Sequence, residues 1–164
     1  MPTSNKKIIL GIDPGIADTG YGIIESEGNK IIPITYGSIK TSKKLSLAER
    51  LVKLEEELNQ IIKKYKPVKA GVEELFFCNN AKTAFTVGQA RGVILLTLIK
   101  NNLPISEFTP LQIKQGLTGY GKADKYQIQH IVKTILGLKE IPKPDDAADA
   151  LAVAICTINN SYNQ

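Results

Sequence analysis

The segment KIILGIDPGIADTGYGIIESEGNKIIPITYGSIK, residues 7–40, decides how the rest of the chain is read. It holds three apolar runs, at residues 7–12, 21–25 and 30–40, and Glu27, Gly28 and Asn29 supply turn chemistry between the last two. Three successive antiparallel strands are the expectation. After Ser46 the apolar period lengthens. Leu47, Leu51, Leu54, Leu58, Ile61 and Ile62 recur at helical spacing, and Ser46 with Glu49 makes a capping box. This helix ends before Pro67. A fourth strand is expected at residues 68–75, a polar turn at Asn79 and Asn80, a long helix at 81–100 and a fifth strand at 104–108. Helices follow at 110–117, at 124–136 with Asp124 as N-cap and Gly137 closing it, and at 144–158. The order βββαβαβααα predicts an α/β fold: a five-stranded mixed sheet flanked by helices on both faces, with strands one, four and five parallel.

The 164 residues carry 21 Lys plus Arg against 16 Asp plus Glu, a formal charge of +5, and 43% are apolar. That composition suits one globular domain and excludes a disordered or fibrous chain. The domain is expected to span 1–164, with flexible tails at 1–5 and 160–164. Cys78 and Cys156 stand far apart, with no CxxC and no neighbouring metal-type ligand, so both are read as reduced thiols. No secretory leader and no membrane span is visible, which predicts a cytoplasmic protein without a membrane partner. The basic excess points to an anionic partner. It is concentrated between residues 75 and 144, where nine basic residues face three acidic ones.

Acids gather at the ends of three expected elements. Asp13 closes the first strand, where an unpaired carboxylate costs stability. Glu73 and Glu74 close the fourth, which should lie beside the first, and strand alternation lets only one of them face Asp13. Asp146 and Asp149, three apart on the last helix, share a face. Like charges about 4 Å apart repel by roughly 4 kcal/mol at an effective dielectric near 20, so such a group needs a cation. Oxygen-only donors select Mg²⁺ or Mn²⁺ over zinc. Two such ions stabilise the attacking and leaving oxygens of a phosphodiester, as nucleases use them. Each acid also has an ordinary reading: Asp145 or Asp146 as N-cap after Pro144, Asp149 as a partner of the helix dipole, Asp18 and Glu74 as solvated charges. Asp13 has the weakest of these, because the following Pro14-Gly15 turn asks nothing of it.

The helix at 81–100 is apolar nearly all round, through Phe85, Val87, Val93, Ile94, Leu95, Leu96, Leu98 and Ile99. Ala84, Gly88 and Gly92, four apart, give it a smooth face. Two-fold packing in a homodimer is the favoured expectation, and central burial within one chain the alternative.

IILGIDPGIADTGYGII at 8–24, VEELFFCNNAKTAFTVGQARG at 72–92 and DDAADALAVA at 145–154 closely resemble the RuvC family of bacterial Holliday junction resolvases, over nearly the whole chain. The resemblance implies a ribonuclease H-like fold and a homodimer with two active sites. It also implies paired nicking of four-way junction DNA in recombination and repair, dependent on Mg²⁺, two ions per site, for which Mn²⁺ substitutes. The RuvA and RuvB branch-migration proteins are implied as partners. The family's catalytic carboxylates fall on Asp13, Glu73, Asp146 and Asp149, which selects Glu73 over Glu74. Glu74 stands where relatives often carry an amide, and some relatives have His where Asp146 stands, so the resemblance leaves Asp146 as either a metal ligand or a proton-transfer partner. Phe76 matches an aromatic that engages bases near the junction centre, and Lys114 and Lys125 match basic residues near the scissile strand.

The residues themselves fit this reading. The turn TGYGKADK at 118–125, with Lys122 and Lys125, suits contact with phosphate. Of the aromatic pair before the polar turn, Phe77 is assigned to the core and Phe76 to base stacking. His130 lies off its helix's apolar face and is read as a surface or DNA-proximal residue and not as a ligand. Three other readings compete. IDPGIADTGYG also resembles the first phosphate loop of actin-like and sugar-kinase ATPases, which need a second lobe and a second phosphate loop. A ribonuclease of the same fold and a catalytically silent DNA-binding dimer are the others.

Overall fold

Gly28, at a φ of +59°, turns the chain in a conformation that suits glycine and builds the hairpin on which the sheet is assembled. The computed structural model describes residues 5–74 and 80–160. In it β1 (Lys7–Asp13), β2 (Asp18–Glu27) and β3 (Lys30–Lys40) form an antiparallel meander. After α1 (Leu47–Tyr65), β4 (Lys69–Glu73) joins β1 in parallel, and after α2 (Ala81–Lys100), β5 (Ile105–Phe108) joins β4. The strand order is β3-β2-β1-β4-β5, the mixed five-stranded sheet expected. Three helices complete the chain: α3 (Pro110–Thr118), α4 (Lys125–Ile135) and α5 (Asp145–Asn159).

Two strands differ most from their expected bounds. β2 begins at Asp18, three residues early, because polar groups there are hydrogen-bonded to the preceding turn and across the sheet. The Thr19 hydroxyl donates to the Gly15 carbonyl at 2.6 Å, and Ser38 donates to the Asp18 carboxylate at 2.8 Å. Asp18 is therefore a half-buried hydrogen-bonded residue and not a solvated charge. β4 ends at Glu73, short of the expected residue 75, which lies outside the described residues.

Strand alternation sorts the side chains onto two cores. Leu10, Ile12, Ala70 and Val72 pack with Leu54 and Leu58 of α1 and Ile94 and Leu98 of α2. Ile9 and Ile24 pack on the opposite face with α5, which α3 and α4 cover in turn. Eleven of the fifteen α5 residues are buried, so this helix is a central element and its register fixes whatever it carries. The seat is made of glycine. Pairing aligns Gly22, Gly11 and Gly71 in a row across β2, β1 and β4. A Cβ on these residues would overlap the Leu151 side chain, the Ala150 carbonyl oxygen and the Thr157 hydroxyl respectively. Only bare backbone lets α5 lie this close.

α2 buries one side only. Ala90, Ile94, Thr97 and Leu98 face the core, whereas Phe85, Leu96 and Ile99 are 70%, 58% and 61% exposed and Gly92 meets open space. Central burial of α2 within one chain is thereby excluded. No helix among the described residues is long and apolar enough to cross a membrane.

Candidate metal centre

Gly11 and Asp13 point to the same side of β1, and Gly71 and Glu73 to the same side of β4, which is the side α5 covers. That is the physical reason Glu73 faces Asp13 and Glu74 does not. Gly20 of β2 seats the start of α5, where its Cβ would overlap the Asp146 carbonyl. The first turns of α5 thus rest against the carboxyl ends of β1 and β4. Asp13, Asp146 and Asp149 each offer an oxygen within 4.8 Å of the others, and Glu73 shares a side-chain hydrogen bond with Asp13. The N-cap of α5 is Pro144, with no side-chain cap bond. Neither Asp145 nor Asp146 is spent on capping, contrary to the ordinary reading of these acids.

The group is electrostatically overloaded. Burial, then the charges of Glu73, Asp149 and Asp146, push Asp13 from the ordinary 3.8 up to about 9. Burial and the Asp149 charge also raise Glu73, against the pull of Lys114 and Lys125. Burial raises Asp149, with Lys125 opposing. Without a cation the Asp13–Glu73 pair therefore holds a proton at neutral pH, shared in the hydrogen bond between the two side chains. Four convergent carboxyl groups that cannot all ionise, offering oxygen donors alone, fit a hard divalent cation.

Lys125 Nζ lies 3.3 Å from Asp145 Oδ2 and 3.8 Å from Asp149 Oδ2, while Gln129 Nε2 donates to Asp145 Oδ1 at 3.3 Å. Lys114 and Lys125 flank a cleft of about 210 Å³ that opens beside Glu73 and Asp149 over a floor of Ile113 and Ile128. Lys122 stands exposed in the loop from α3 to α4 and takes no part in the acidic group. Phe76, Phe77 and Cys78 lie outside the described residues. His130 is half-buried and meets the Tyr126 ring at a tilt of 54°, with ring centroids 4.1 Å apart. Burial pushes the Cys156 thiol up to about 12, so it is no thiolate ligand. Sequence reasoning missed Arg91, whose Nε donates to the Glu73 carbonyl at 3.3 Å. Its sequence signals are its place near the end of the motif at 72–92 and in the basic excess between residues 75 and 144.

The family model described as crossover junction endodeoxyribonuclease RuvC matches residues 9–157. The chain belongs to the RuvC family. The RuvC of Caldicellulosiruptor saccharolyticus is 62% identical over 154 residues, 93% of either chain. That of Desulforamulus reducens is 60% identical over 149 residues, 91% of either. The structure of Thermus thermophilus RuvC in complex with a Holliday junction substrate matches with a TM-score of 0.89 at 33% identity, covering 94% of both chains. The architecture is the ribonuclease H-like fold of RuvC, and RuvC proteins are nucleases.

Proposed function

We propose that this chain is a structure-specific endodeoxyribonuclease that resolves Holliday junctions by paired, symmetric hydrolytic nicks in two strands, in homologous recombination and DNA repair. The observation that carries the reading is the convergence of Asp13, Asp146 and Asp149 within 4.8 Å, beside Glu73, in a chain of the RuvC family. One nuclease domain supplies one site, so two symmetric cuts need two copies. The open face of α2 around Gly92, Leu96 and Ile99 supports a homodimer formed there.

Asp13, Glu73, Asp146 and Asp149 are assigned as catalytic and as the holders of two Mg²⁺ ions, with Mn²⁺ as substitute. When bound, the ions supply Lewis-acid charge for the attacking and leaving oxygens. The chain's own residues do the rest. Lys114 and Lys125 on the cleft draw in the scissile phosphate. The attacking water forms a bond to phosphorus as its proton passes to the Asp146 carboxylate. The bond from phosphorus to the 3′ oxygen breaks, leaving a 5′-phosphate and a 3′-hydroxyl that takes its proton from solvent. Phe76 and Lys122 are assigned to DNA contact beyond the cut, and RuvA and RuvB to presentation of the junction.

A substrate panel tests this. With Mg²⁺, four-way junction DNA should be cut and linear duplex and RNA–DNA hybrid spared, and EDTA should abolish cutting. Preferential cutting of the hybrid would overturn the junction reading in favour of a ribonuclease.

A further inference from the structure

Pairing of β4 stops unevenly at its carboxyl end. On the β5 side it runs through Glu73↔Phe108, and the Glu74 amide donates to the Phe108 carbonyl at 2.7 Å. On the β1 side the last pair is Ile12↔Val72. Glu73, whose carboxylate must meet Asp13, is thus the last residue of its strand and lies beyond the ladder to β1. Its backbone carbonyl is taken by a side chain. Arg91, on α2 and only 19% exposed, donates Nε to the Glu73 carbonyl at 3.3 Å, while its Nη2 pairs with the Glu107 carboxylate of β5. α2 packs on α1 and, through Ala90, Ile94 and Leu98, on the sheet, and the Arg91 guanidinium adds a polar tie to β4 and β5 at the carboxyl end of the sheet.

We infer that Arg91 is a positioning residue for Glu73: it holds the peptide from which the Glu73 carboxylate reaches Asp13, and so fixes the geometry in which the acids bind metal. The inference rests on the reading of these acids as a metal site. A metal ligand serves only if its backbone is held to about half an ångström, and residues that orient ligands change metal affinity by about 10- to 100-fold when removed. The chemistry requires arginine. A planar fork of donors serves a carbonyl and a carboxylate together, whereas a lysine ammonium is a single point.

The test compares Arg91→Gln, Arg91→Lys and Lys100→Gln with the parent. Lys100→Gln removes another ion pair of α2 to a neighbouring element, the 3.1 Å bridge to Glu55 of α1, and so reports a merely structural loss. Mn²⁺ affinity of the DNA-free protein is read by electron paramagnetic resonance of free Mn²⁺, beside the Mg²⁺ concentration for half-maximal junction cleavage and the thermal midpoint. Arg91→Gln should weaken Mn²⁺ binding about tenfold or more and raise the Mg²⁺ requirement in parallel. Arg91→Lys should be intermediate, and Lys100→Gln should match the parent in metal affinity. If Arg91→Gln does not fold, Arg91→Lys decides by the same two readouts. Arg91 variants with parental Mn²⁺ affinity would overturn the inference, whatever their thermal midpoints. A parent that neither binds Mn²⁺ nor cuts junctions would instead overturn the reading of the acids.

Discussion

Asp13 governs how the metal-free chain responds to pH. Its carboxyl is pushed to about 9, chiefly by burial, whereas in the unfolded chain it returns to the ordinary 3.8. Between those values the folded chain keeps a proton that the unfolded chain has lost, so the stability this group contributes is fully present below about pH 4 and drains away as pH rises toward about 9. Thermal melts in EDTA should show the midpoint falling across that window. Asp13→Asn should flatten the fall and melt several degrees higher at about pH 8, at roughly 2–4 °C per kcal/mol for a chain of this size. A parent whose midpoint is level from about pH 5 to 9 would contradict the overloaded site. At the same scale, Lys125 bridges Asp145 and Asp149 at the mouth of the cleft and is free to take a phosphate instead. Lys125→Ala should therefore lower the salt dependence of junction binding by about 0.9 in the slope of log K against log salt, read by fluorescence anisotropy. An unchanged slope would remove Lys125 from the DNA surface.

The placement of α5 rests on the glycine row of β2, β1 and β4, and with it the distance from Asp146 and Asp149 to Asp13. Gly11→Ala should cost about 1–3 kcal/mol of unfolding free energy in urea and also raise the Mg²⁺ needed for cleavage, because α5 must lift from the sheet. Leu54→Ala, in the core on the other face, should cost about 2–5 kcal/mol and leave the Mg²⁺ requirement alone. Equal effects on the metal requirement would show that α5 does not set the site. The elements themselves were legible because their signals are local. The capping box of Ser46 and Glu49 is present as read, and apolar periods mark the strands and helices. The first residues of β2 were not legible, since Asp18, Thr19 and Gly20 lack an apolar signature and are recruited by hydrogen bonds across the sheet. The glycine row was invisible for a related reason. Gly11, Gly22 and Gly71 come together only through pairing between distant segments. Alternation alone narrowed the fourth-strand acid to one of two, and the shared face of Gly71 and Glu73 supplies the reason it is Glu73.

Across the whole molecule, the acidic group and α2 lie on opposite faces of the sheet. Lys114 and Lys125 line the cleft beside the acids, while Phe85, Leu96 and Ile99 of α2 remain open. Sequence periodicity showed that α2 is apolar nearly all round, but which side the chain itself covers depends on how α1 packs. Leu96→Glu should convert a dimer to monomers in sedimentation. On a supercoiled plasmid bearing a cruciform it should leave nicked circles where the parent gives linear product, because each chain then cuts alone. Linear product from monomers would refute the one-site-per-chain argument. The decisive measurement is cleavage of a mobile four-way junction in Mg²⁺ with products mapped at nucleotide resolution, for the parent and for Asp13→Asn. The parent should give symmetric pairs of nicks ending in 5′-phosphate and 3′-hydroxyl, and Asp13→Asn should give none. Cutting by Asp13→Asn at the parent's rate would contradict the assignment of this site.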